Sequence, residues 1–106
     1  QLRQYKLKIL RLSNNDLEYF PNDFLFYYFN LIELNLSNNR LINLDPKTFQ
    51  NLPNLRMLSL SNNKLNSLPN DLFTDSFKLY EIDLSKNKIS DFNPNLFNLL
   101  IFLEYL

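Results

Sequence analysis

The chain has 106 residues, with 11 lysines and arginines against 11 aspartates and glutamates, so its formal net charge is zero. It contains no cysteine, histidine, glycine or tryptophan, which excludes disulfides, thiolate metal sites, Ser-His and Cys-His nucleophile systems and glycine-rich phosphate loops. A balanced charge argues against a nucleic-acid footprint, which would show a clustered basic excess, and no apolar run reaches the roughly 18 residues that a membrane span needs.

One pattern organises the chain. Leu7, Leu10, Leu12, Asn15 and Leu17 recur as Leu31, Leu34, Leu36, Asn39 and Leu41, and again as Leu55, Leu58, Leu60, Asn63 and Leu65. The fourth copy reads Leu79, Ile82, Leu84, Asn87 and Ile89, and Leu103-x-x-Leu106 opens a fifth. Every step is 24 residues, dividing a single domain, 1–106, into repeats 7–30, 31–54, 55–78 and 79–102 and a partial repeat 103–106. A fixed period of this length predicts a solenoid, in which each turn buries its apolar face only against its neighbours.

In repeat one, Leu10 and Leu12 alternate with Ile9 and Arg11, the period of a half-buried strand. The return stretch holds Phe20-Pro21 and then Phe24-Leu25-Phe26-Tyr27-Tyr28-Phe29, an unbroken apolar and aromatic run. Only two or three of these six can face the core. The others are exposed on the convex side or fill a wider gap in this repeat. In repeat two, Leu34 and Leu36 alternate with Glu33 and Asn35, and Pro46 follows Leu44. Proline in a helix interior costs roughly 3 kcal/mol, so the return path is expected to be extended or a short 3₁₀ turn, with Phe49 and Leu52 pointing inward. Repeat three places Leu68-Pro69 and Phe73 in the same register, and repeat four Phe92, Pro94 and Phe97. Phe20, Leu44, Leu68 and Phe92 form one core column, and Leu25, Phe49, Phe73 and Phe97 another. Leu103 to Leu106 present core leucines in mid-motif, from which a piece of a longer array, or a chain whose ends associate, is expected.

The column Asn15, Asn39, Asn63 and Asn87 sits among leucines. An unpaired amide there would cost about 1–3 kcal/mol. Its two donors and one carbonyl acceptor suit it to the backbone of its own turn and of the next. A structural ladder is expected, not a ligand site.

These motifs resemble the leucine-rich repeat family, through L-x-x-L-x-L-x-x-N-x-L repeated across the chain. Leu68-Pro69-x-x-x-Phe73 and Phe20-Pro21 resemble its typical 24-residue subclass, similar to repeats of Toll-like receptor and small proteoglycan ectodomains. The resemblance implies an α/β-type repeat solenoid: a horseshoe with a short-stranded parallel sheet on the concave face, and a role in protein binding. The cysteine-rich caps common in extracellular members are absent.

On such a frame the outward positions are Lys8, Ile9 and Arg11, then Ile32, Glu33 and Asn35, then Arg56, Met57 and Ser59, then Tyr80, Glu81 and Asp83. They vary while the core columns do not, as a recognition surface would. Ile9, Ile32, Met57 and Tyr80 are apolar positions that a merely solvated face has little use for. Charge runs from Lys8 and Arg11 at one end to Glu81 and Asp83 at the other. A second column, Asp16, Arg40, Lys64 and Lys88, reads as a solvated rim or as a contact for an acidic partner. Asn35-Leu36-Ser37 is a glycosylation sequon, and a glycan on Asn35 would obstruct the concave face.

Glu81 and Asp83 are a pair of acids, but nothing encloses them, so no catalysis, cofactor or metal is expected. The reading is a protein-binding module of an extracellular or cell-surface receptor or adhesion ectodomain. The alternatives are a cytoplasmic scaffold or adaptor, and a bare structural spacer. A protein partner is expected, with no nucleic acid and no membrane insertion by this segment. Five strands at about 4.8 Å spacing span only roughly 20 Å, a patch small beside the roughly 800 Å² per partner of a standard interface.

Overall fold

A computed structural model describes residues 6–21, 23–90, 93–98 and 100. The core position assigned to Phe92 and the opening of the fifth repeat at Leu103 and Leu106 lie outside the described residues.

Four three-residue strands run in chain order: β1 (Ile9–Arg11), β2 (Glu33–Asn35), β3 (Met57–Ser59) and β4 (Glu81–Asp83). They form one parallel sheet in the order β1-β2-β3-β4. Leu10 pairs with Leu34, Leu34 with Leu58 and Leu58 with Ile82, so the register of the sheet is the 24-residue period of the sequence. The strands stay short because three residues carry the alternation before the chain must turn.

The leucines of each motif point inward. Leu31, Leu34, Leu36, Leu41, Leu55, Leu58, Leu60, Leu65, Leu79 and Ile82 are all buried in one continuous core. Leu7, Leu10, Leu12 and Leu17 of the first repeat are partly buried against it. Each fully buried leucine contributes about 1.5–3 kcal/mol. Stacking is what realises those terms, since one turn alone would expose both sides of its leucine layer.

After each strand the chain bends through a left-handed residue: Asn14 (φ 63°), Asn38 (φ 58°), Asn62 (φ 54°) and Lys86 (φ 57°). A chain with no glycine must find another residue for this geometry, and asparagine tolerates it best. Lys86 has no short amide to bond locally and adopts the same conformation under the constraint of the stack.

The next residue is the ladder asparagine. Asn39 accepts from the N–H groups of Asn15 and Leu17 in the preceding turn, both at 3.0 Å. Its Nδ2 donates to the carbonyls of Leu12 (3.0 Å), Leu36 (3.0 Å) and Ser37 (3.2 Å). Asn63 repeats this with Leu41 N–H and the carbonyls of Leu36, Leu60 and Ser61. Asn87 does so with Leu65 N–H and the carbonyls of Leu60, Leu84 and Ser85. Asn15, exposed at the edge, donates to Leu12 and Ser13 of its own turn.

The return path is a run of i to i+3 turns, not a regular helix. In repeat two the N–H groups of Thr48, Gln50, Leu52 and Leu55 donate to Asp45, Lys47, Phe49 and Leu52. Repeats one, three and four follow the same spacing. Inside these turns lies an aromatic spine. Phe49 stacks on Phe73 at 6.2 Å between ring centroids, and Phe73 on Phe97 at 5.9 Å, continued at Leu25 in repeat one.

Repeat one departs from this pattern on its convex side. Thr48, Leu72 and Leu96 are buried, whereas Phe24 at the same position is 40% exposed. It packs edge-on to Phe20 (5.1 Å) and stacks on Tyr28 (5.7 Å). Of the six-residue run only Leu25 is buried and Tyr28 partly so, while Phe26, Tyr27 and Phe29 are exposed. The run therefore covers the convex surface more than it fills the interior.

Ser76 shares a column with Leu52 and Leu100. Its side chain is fully buried, and its hydroxyl has no hydrogen-bond partner among the described residues.

Asn63→Asp removes three donated bonds and sets a carboxylate against three carbonyls, so urea unfolding should show a loss of at least about 3 kcal/mol; a loss below 1 kcal/mol would refute the ladder's structural weight. Ser76→Ala removes an unpaired buried hydroxyl and should raise stability by about 1 kcal/mol, read as a higher midpoint in the same experiment.

Candidate functional site

The concave face is built from backbone that is the same in every turn. The carbonyl of Lys8 accepts from the N–H groups of Ile32 and Glu33, at 2.7 and 3.0 Å. The Ile32 carbonyl does the same for Arg56 and Met57, and the Arg56 carbonyl for Tyr80 and Glu81. These bonds use main-chain atoms only, so the side chains at these positions can change without disturbing the sheet.

Three outward columns result. Lys8, Ile32, Arg56 and Tyr80 sit immediately before the strands. Ile9, Glu33, Met57 and Glu81 open them, and Arg11, Asn35, Ser59 and Asp83 close them. The apolar members alternate between the first two columns: Ile9, 45% exposed, and Met57 belong to one, Ile32 and Tyr80 to the other.

The closing column is tied down by the serines that follow it. Asn35 Oδ1 accepts from the Ser37 N–H (2.9 Å) and hydroxyl (2.6 Å). Asp83 Oδ1 accepts from Ser85 in the same way, at 3.0 and 2.6 Å, and Ser59 and Ser61 bring their hydroxyls within 3.4 Å. The two Ser85 bonds, with Lys86 nearby, hold the Asp83 carboxyl below its ordinary pKa. At Asn35 both bonds engage the oxygen, not the nitrogen that a glycan would take.

The leading side of the face is a groove of about 770 Å³, lined by Lys8, Asn30, Ile32, Asn54, Arg56, Lys78 and Tyr80. The Arg56 guanidinium lies 5.7 Å from the Tyr80 ring centroid, a cation–π contact worth about 0.5–1 kcal/mol at an exposed site. Lys78 Nζ donates to Asn54 Oδ1 at 3.1 Å. Glu33 is not part of the lining; it meets Arg11 across the strands at 3.4 Å. Charge is thus sorted across the strands as well as along the stack. Lys8, Arg56 and Lys78 stand at the leading edge, Glu33 lies further along on β2 and Glu81 and Asp83 on β4, while Arg11 closes β1.

Four of the twelve concave positions read from the sequence, Lys8, Ile32, Arg56 and Tyr80, converge on the groove. Asn30, Asn54 and Lys78 join them and were missed. They occupy one further 24-residue column, just before the leucine that opens each motif, and extending the alignment by one position upstream would have found them. In the rim column Arg40 pairs with Asp16 at 3.6 Å, while Lys64 and Lys88 are exposed. Among the described residues there is no group of three or more acidic, histidine or cysteine side chains placed to hold a metal ion, and no helix long and apolar enough to cross a membrane.

The chain is similar to several solved structures. The leucine-rich repeat domain of APL1B superposes with a TM-score of 0.91 at 27% identity, over 99% of this chain and 30% of that one. In the TLR13–ssRNA13 complex the match has a TM-score of 0.89 at 33% identity, over 94% of this chain and 14% of that one. In the Drosophila Toll–Spatzle complex it has a TM-score of 0.83 at 30% identity, over 92% and 13%. The chain therefore spans less than a third of the length of these structural relatives. No curated protein matches it. The leucine-rich repeat family model matches residues 5–65, 29–79 and 54–106. By that match, by the asparagine ladder and by the parallel sheet in 24-residue register, this chain belongs to the leucine-rich repeat family.

Proposed function

We propose that this chain is a protein-binding recognition module that engages its partner through the concave face, as part of an extracellular or cell-surface receptor or adhesion ectodomain. The observation that carries this reading is the contrast between a clamped backbone and variable outward columns. Ile9, Ile32, Met57 and Tyr80 place apolar area among charges on a sheet whose hydrogen bonds do not depend on them. Aromatic and apolar anchors ringed by polar groups are how binding energy is concentrated in interfaces.

The compartment rests on likeness. Toll in complex with Spatzle and TLR13 are among its structural relatives, and a receptor or adhesion role is carried over from them. A segment of a longer array fits the area available. Three strand-to-strand spacings of about 4.8 Å and strands roughly 10 Å long give a sheet patch of roughly 140 Å², well under the roughly 800 Å² of a standard interface side. Neighbouring turns would supply the remainder.

The test compares the chain, a Met57→Ala/Tyr80→Ala variant and a convex Phe26→Ser/Tyr27→Ser variant as baits against extracellular fluid and against cytosol, with chemical cross-linking. Truncating a central anchor costs about 2 kcal/mol or more, so the concave variant should lose at least about tenfold of the specific capture from extracellular fluid, and the convex variant should keep it. Equal capture by all three would leave a structural spacer. Capture from cytosol alone would favour an intracellular adaptor.

A further inference from the structure

The groove at the leading edge has a chemical character that recognition by the concave face does not by itself dictate. Among the described residues its charged side chains are Lys8, Arg56 and Lys78, all exposed, and no carboxylate lines it. The whole chain is charge-balanced, so this is segregation of charge, not a general excess. Of the acids beyond it, Glu33 meets Arg11 and Asp83 accepts from Ser85.

Two of the three cations are held in place by uncharged neighbours. The Arg56 guanidinium lies 5.7 Å from the Tyr80 ring centroid, and its planar fork of N–H donors suits a carboxylate. The Lys78 ammonium spends one of its three donors on the Asn54 amide. Neither interaction neutralises the charge. Lys8 and Arg56 stand two strands apart, roughly 10 Å at the usual parallel spacing. On an extended peptide, side chains two residues apart share a face and lie roughly 7 Å apart, within reach of the flexible ends of the Lys8 and Arg56 side chains. Ile32, between the two, provides an apolar contact for whatever crosses them.

We propose that this groove binds an extended acidic segment of a protein partner, running across the strands with its carboxylates on Lys8, Arg56 and Lys78 and a side chain against Ile32 and Tyr80. Glu33 on β2, and Glu81 and Asp83 on β4, repel such a segment and so restrict which part of the concave face it occupies. This rests on the recognition reading above and names the chemistry of the partner for the leading half of that face.

The probe is a fluorescein-labelled octaglutamate peptide, with octaglutamine, a sulfated oligosaccharide and an oligo-dT of equal charge as comparisons. Anisotropy titrations at 50 and 150 mM salt are run on the full chain, a Lys8→Gln/Arg56→Gln/Lys78→Gln variant and a Lys64→Gln/Lys88→Gln rim variant, each checked for unchanged thermal unfolding. The expected result is saturable octaglutamate binding that weakens with salt, falls tenfold or more in the groove variant and is kept in the rim variant, with octaglutamine inactive. Absence of octaglutamate binding, equal binding by the groove variant, or loss only in the rim variant would overturn the proposal. Tighter binding of the sulfated oligosaccharide or the oligo-dT would overturn the peptide assignment. The two readings fail separately. Capture lost in the Met57/Tyr80 variant without octaglutamate binding sinks only the acidic-segment inference. Groove-dependent octaglutamate binding with unaltered capture sinks the concave recognition reading.

Discussion

The Asn39 amide joins two turns of the coil through five hydrogen bonds: two received from the N–H groups of Asn15 and Leu17, three given to the carbonyls of Leu12, Leu36 and Ser37. The rest of the structure depends on this arrangement. A chain that leaves a three-residue strand and turns at once strands main-chain groups in an apolar interior, where each would cost about 1–3 kcal/mol. One side chain per turn resolves this, and because it reaches the adjacent turn it also couples the turns. Stability in such an array is a property of neighbours, not of single repeats.

The sharp bend that makes the ladder necessary has its own requirement. The left-handed residue before each ladder position is asparagine in three turns and lysine in the fourth. The sequence contains no glycine, and the short amide is the best remaining choice for that geometry. Asn62 Nδ2 also donates to Asn38 Oδ1 at 2.6 Å, so these residues bridge turns on the outside as the ladder does on the inside. Across the core, the Phe49, Phe73 and Phe97 rings stack at separations set by the same repeat. Strand, bend and return path thus share one translational step.

With the backbone satisfied by repetition, the outward side chains are released from structural duty to different degrees. The column that closes each strand is still engaged, since Asn35 and Asp83 take hydrogen bonds from Ser37 and Ser85. The two columns before it carry the apolar and charged variety of the concave face.

Periodicity made most of the fold legible in the sequence. A strict 24-residue step with alternating leucines leaves one arrangement in which every leucine is buried and every strand has a parallel neighbour, so Leu34 against Leu58 and Phe49 against Phe73 can be read from spacing alone. The composition of the outward columns could be read the same way, because Leu10 pointing inward forces Ile9 and Arg11 outward. What spacing does not encode is which side chains lean toward one another across turns. The convergence of Lys8, Arg56 and Lys78 on one groove, the seating of Arg56 on Tyr80, the pairing of Arg11 with Glu33 and the exposure of Phe24 where its counterparts are buried were decided by the packed structure. They depend on lateral distances between turns and on side-chain direction, which a one-dimensional pattern does not contain.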